Sequence, residues 1–144
     1  MTGAAMRTKR GWLLVTMLVF TAGCSDTING VEIAEPAVKH FRTQMAAHEY
    51  EKIYDTAAAG FRGGASKDLV VRLFSAIERK LGAYKSAERI NWNVNTQNMT
   101  TTVVLVYATR YAEGEATETF TFLVEDEKPA LLGYNINSFD MMLK

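Results

Sequence analysis

Few residues in this 144-residue chain have the types to do chemistry, and their spacing narrows what they do. There is one cysteine, Cys24, and there are two histidines, His40 and His48. A lone thiol forms no intramolecular disulfide, and no cysteine–histidine pair stands at a nucleophile's spacing. On one helix the two histidines would lie about 80° apart and two turns distant, which is no metal pair. They are expected on a helix surface and at a bend. Asp55 borders an apolar helical stripe and is expected at the surface or in a cap. Glu113, Glu115, Glu118 and residues 125–127 gather near turns. They read as a solvated hairpin face rather than as paired carboxylates for acid–base work. No phosphate-cradling glycine loop and no nucleophile elbow is present in the sequence. Catalysis is therefore not expected, and neither is a metal or cofactor.

Residues suited to binding are more numerous. Tyr107, Tyr111 and Tyr134 fall on alternating apolar runs, where their hydroxyls would meet water or a ligand at the mouth of a pocket. Arg110 is the one basic residue central to a strand, placed to pair with an anionic group or to face solvent. Asn91, Asn93 and Asn95, with Thr117, Thr119, Thr121, Asn135 and Asn137, form a neutral row of hydrogen-bonding side chains. Such a row suits the wet face of a sheet. It would also dock a protein or glycan at low desolvation cost.

The start of the chain bears on location. Arg7, Lys9 and Arg10 precede an apolar run from Gly11 to Phe20, and the small residues Ala22 and Gly23 then lead to Cys24. Charge, grease and small residues in that order make a secretory signal too short for a permanent membrane span. With Cys24 at its end, the segment resembles a bacterial lipoprotein signal. The resemblance implies cleavage before Cys24, acylation of its thiol, and a cell-envelope protein facing the periplasm. Ser25 follows the cysteine, which favours the outer membrane over the inner. Either Met1 or Met6 serves as a start that keeps the signal intact. The divisions are thus 1–23 for the signal, 24–32 for the lipidated cysteine and a short tether ending in an Asn29-Gly30 turn, and 33–144 for one domain. The signal holds three of the 16 basic residues and none of the 16 acidic ones, so the mature chain carries 13 against 16, or −3. That charge, with export, argues against a nucleic-acid partner.

The domain changes period midway. Ala37, Phe41 and Met45 mark a first helical stripe, with Pro36 in the first turn. Tyr50, Ile53, Tyr54, Ala57, Ala58 and Phe61 mark a second, ended by Gly60, Gly63 and Gly64. Val70, Leu73, Phe74, Ile77 and Leu81 mark a third, opened by Ser66 as N-cap and closed by Gly82. Beyond Gly82 the period is 2. Ile90, Trp92 and Val94 begin a strand; Val103, Leu105, Tyr107, Thr109 and Tyr111, then Phe120, Phe122 and Val124, then Leu132, Tyr134 and Ile136 make three more. The aromatic members, Trp92 included, are expected mainly in the core. Asn98-Met99-Thr100, Glu113-Gly114 and the stretch 126–129 read as turns. Helices first and a four-strand antiparallel meander later predict an α+β fold with the helices on one sheet face.

The run Tyr54-Asp55, Phe61-Arg62, Ser66, Leu81-Gly82 and the closing Leu132-Gly133-Tyr134-Asn135-Ile136 resembles the small cystatin-like, nuclear transport factor 2-like lipoproteins of bacteria. The resemblance spans roughly residues 33–139. It implies a curved sheet backed by helices, forming a cone whose mouth can hold a ligand. It implies no activity, because such folds host enzymes, binding modules and adaptors alike. Two functions follow as expectations. One is a non-catalytic accessory module that engages another envelope protein. The other is a binder of a small amphipathic molecule inside the cone.

Overall fold

The computed structural model describes residues 25–144, with side chains from residue 30 onward; the signal and Cys24 lie outside the described residues. Four helices lead into a four-stranded antiparallel sheet, and a short helix closes the chain. Helix α1 spans Ser25–Ala46, α2 Tyr50–Thr56, α3 Ala59–Gly64 and α4 Lys67–Leu81. Strands β1 Tyr84–Gln97, β2 Thr100–Tyr111, β3 Gly114–Glu125 and β4 Lys128–Asn137 pair in sequence order as a meander, followed by α5, Phe139–Leu143. No described helix is long and apolar enough to cross a membrane.

Helix α1 departs from the expected tether. The stretch Ser25 to Gly30 is helical, so the Asn29-Gly30 turn does not form, and Pro36 sits in the helix interior. There its ring offers no N–H to the Glu32 carbonyl, a loss that tertiary packing must offset. The packing is close: a Cβ on Gly30 would stand 3.0 Å from Val94 and 3.3 Å from Val103. At the other end His48, at φ 57°, closes α1. Its N–H donates to the Met45 carbonyl (3.0 Å) and that of Glu49 to the Gln44 carbonyl (2.9 Å), the double closure of a left-handed helix end.

The expected second helix is broken in two. Ala57 and Ala58 are extended, and the Ala58 N–H donates 2.9 Å to the Leu131 carbonyl of β4. A sheet-edge acceptor thus captures a donor that a continuous helix would have kept. Helix α4 follows its sequence closely. Ser66 accepts from the Leu69 N–H, Asp68 lies in the first turn and Arg79 and Lys80 in the last, and Gly82 takes φ 74°.

The inner sheet face, under the helices, carries Val103, Leu105 and Tyr107 from β2 and Phe120, Phe122 and Val124 from β3, all buried. Phe41 of α1 sits at the centre, with ring centroids 5.4 Å from Phe74, 5.1 Å from Phe120 and 5.1 Å from Tyr134. Edge-to-face contacts of this kind add to the area term. Trp92 corrects the expectation. It pairs with Leu105 on the inner face, yet remains 44% exposed because β1 is an edge strand. Ile90 is exposed as the extra residue of a bulge between Arg89 and Asn91. A further bulge, at Leu132 in β4, puts Leu131 rather than Leu132 in the core.

Candidate functional site

The most polar point of the interior is a carboxylate that the sequence reading placed in solvent. Glu118 lies on β3 at 1% exposure, in step with Phe120 and Phe122 and so on the inner face. Its Oε2 stands 2.8 Å from Arg42 Nη2 of α1 and accepts from the Thr109 hydroxyl at 2.6 Å. Its Oε1 accepts from the Tyr111 hydroxyl at 2.8 Å and the Tyr134 hydroxyl at 2.7 Å. Arg42 also donates 3.3 Å to Thr109 Oγ1. Three hydroxyl donors and one guanidinium therefore surround a single carboxylate. The guanidinium lies over the Tyr84 ring, 4.4 Å from its centroid, with the Tyr107 and Phe120 rings each at 5.6 Å.

This arrangement relocates the tyrosines expected at a cone mouth. Tyr107 is buried, and Tyr111 and Tyr134 are held in the interior by Glu118. Burial, then the adjacent Glu118 charge, lifts the Tyr111 and Tyr134 hydroxyls well above the ordinary value of 10.0. Burial also lifts Tyr107. Such hydroxyls donate well and ionise poorly. Glu118 itself is buried, with both carboxylate oxygens engaged by these neighbours.

Two small clefts open on the interior. One of about 200 Å³ lies among Arg42, Met45, Ile77, Tyr84, Tyr111 and Glu118. Another of about 170 Å³ lies between α1, α2 and β4. Gln44, which lines this second cleft, has a buried Nε2 without a hydrogen-bond partner. Sites for drug-sized ligands start at about 300 Å³.

The remaining candidates sort plainly. His48 is the bend residue, and its Nδ1 lies 2.8 Å from Glu78 Oε2. The Tyr50 hydroxyl donates to the same carboxylate oxygen. Burial, with Glu78's hydrogen bond and charge, pushes Tyr50 up to about 12. The cluster ties the α1–α2 junction to α4. His40 is exposed on α1, and exposed Asp55 pairs with Lys67 at 2.6 Å. Among the described residues no group of three His, Cys, Asp or Glu side chains could hold a metal.

The outer sheet face is of another kind. Asn91, Asn93 and Asn95 are exposed there, paired across the strands with Val106, Val104 and Thr102. Thr119 and Thr121 continue two of these rows. At the end of the sheet near α5, this face forms a groove of about 670 Å³ bounded by Glu88, Ala108, Arg110, Glu115, Asn137 and Phe139. Arg110 points outward and pairs with Glu115 at 3.0 Å, with both side chains mostly exposed. The groove combines small residues on its floor, one ion pair and an exposed aromatic wall. Those are the elements of a surface that can take up an extended segment of another molecule. Arg110 and the three asparagines are legible in the sequence as candidates, whereas Arg42, Thr109, Glu118 and Phe139 emerge from the fold. For Glu118 the signal existed, since it keeps the parity of Phe120 and Phe122. No protein-family model and no curated protein matches the chain.

Proposed function

We propose that this is a lipid-anchored envelope protein, held by acylated Cys24, facing the periplasm and acting as a non-catalytic accessory module for another envelope protein. The outer membrane is its favoured site. The observation that carries this reading is the contrast between a filled interior and an open outer face. Inside, Arg42, Thr109, Tyr111 and Tyr134 are held on Glu118 rather than offered to a ligand. Outside, the groove around Arg110 and Glu115 stands open beside a neutral Asn and Thr surface. An uncharged row next to a single ion pair gives a partner many hydrogen bonds and one polarity to match.

A photo-crosslinker placed at Thr117, on the groove, tests the reading in cells that produce the lipidated protein, with capture and mass spectrometry. One dominant envelope partner is expected, lost in Arg110→Glu and reduced when Cys24→Ser frees the protein from the membrane. Absence of any adduct above background would remove the accessory reading. A small molecule retained in native mass spectrometry would point instead to a ligand-binding role for the cleft beside Arg42.

A further inference from the structure

We infer that the β1–β2 hairpin tip, Asn98-Met99, rests in the headgroup region of the membrane that holds Cys24, an inference that rests on the anchoring proposed above. Three contacts give the direction of α1. Gly30 packs on Val94 and Val103, Glu35 pairs with Arg89 at 2.6 Å, and Arg42 reaches Thr109. Followed toward its N-terminus, α1 therefore runs along β1 toward the hairpin tip.

The lengths then decide the geometry. From Gly30 back to Ser25 is five helical residues, about 7.5 Å. Cys24 comes next in the sequence and adds at most about 3.8 Å. From Val94 to Met99 at the tip is five residues, about 16 Å at strand rise. The tip thus reaches beyond the point of lipid attachment by a few ångströms, and any tilt of α1 across the sheet increases that reach. With no spacer between the lipidated residue and α1, seating the acyl chains brings the tip to the lipid.

The chemistry of the tip fits this contact. Residues 90–109 hold no charged side chain, in a chain that is 22% charged. Met99 is 97% exposed at the apex, so its thioether and methylenes are free to leave water. Level with it, the β3–β4 turn carries Asp126 and Glu127, which disfavours anionic lipid. The surface in question is therefore a zwitterionic one. Such a posture also holds the groove at the opposite end of the sheet, about a strand's length from the membrane and open to a partner.

The test uses the lipidated protein reconstituted in phosphatidylcholine–phosphatidylethanolamine vesicles. An environment-sensitive dye is placed at Gln97→Cys beside the tip or, as a control, at Glu113→Cys at the opposite end. The Gln97 label is expected to shift to the blue and to be quenched by headgroup-level nitroxide lipids, while the Glu113 label shows neither. Met99→Gly, which suits a tight hairpin turn and should keep the fold, is expected to reduce the quenching at residue 97. Equal exposure of the two labels on vesicle-bound protein overturns the inference and leaves the anchor standing. Quenching unchanged in Met99→Gly also overturns it. Protein that does not stay on vesicles overturns both.

Discussion

Two arginine–glutamate pairs of nearly equal length sit on opposite faces of the same sheet. Arg42 and Glu118 meet at 2.8 Å with side-chain exposures of 12% and 1%; Arg110 and Glu115 meet at 3.0 Å with 74% and 70%. The chemistry is the same and the surroundings are not. The buried pair had to be completed by three hydroxyl donors and an aromatic stack, because a desolvated charge without partners is costly. The exposed pair is screened by water and contributes little to stability. One pair ties α1 to the sheet, and the other stays in solvent on the outer face.

The comparison breaks most sharply at Glu118. Glu118→Leu is expected to cost about 3–5 kcal/mol in denaturant unfolding, since it strands the Arg42 charge. Adding Arg42→Met should recover part of that loss, though not all, because the Thr109, Tyr111 and Tyr134 hydroxyls still lack their acceptor. A single variant with no loss would show that the pair does not organise the interior.

Alkaline unfolding sharpens the same side. Tyr111 and Tyr134 hold their protons more tightly folded than unfolded, so their contribution is complete below pH 10, the ordinary tyrosine value, and is lost as pH rises above it. Each is expected to remove about 1.4 kcal/mol per pH unit in that range. Stability measured from pH 9 to 11 should fall in the native protein and fall less in Tyr111→Phe/Tyr134→Phe. Equal slopes would contradict the buried hydroxyl network.

The smaller effects lie at the edge and on the outer face. Trp92→Ala should cost about 1 kcal/mol, well under the several expected of a core aromatic, because the ring is half in water. Arg110→Ala should change unfolding by no more than about 0.5–1 kcal/mol. A larger loss at Arg110 would mean that the outer pair is structural after all.

Much of this was legible in the residues, and the exceptions have physical causes. Ser66 and Gly82 bound α4 as their side chain and backbone freedom dictate. The alternation in β2 and β3 sorts the inner from the outer face correctly, and the meander follows from the short turns. Glu118 was missed because charge near turns usually means solvent, although its parity with Phe120 and Phe122 pointed inward. Arg42 gave no such signal, since its partner lies on a strand distant in sequence. The bulges at Ile90 and Leu132, and the break at Ala57-Ala58, arise from pairing between separate elements. No local pattern encodes them. Residues 25–32 have the composition of a tether and yet lie in α1, where Gly30 and Val31 pack against the fold.

The most direct test of the division between the two pairs measures fold and partner together. Arg110→Glu is made in the protein carrying the Thr117 crosslinker, and both thermal unfolding and in-cell adduct yield are read. The account predicts an unfolding temperature close to that of the parent and loss of the dominant envelope adduct. An adduct that persists at full yield would contradict it, and the outer groove would no longer be the surface that serves function.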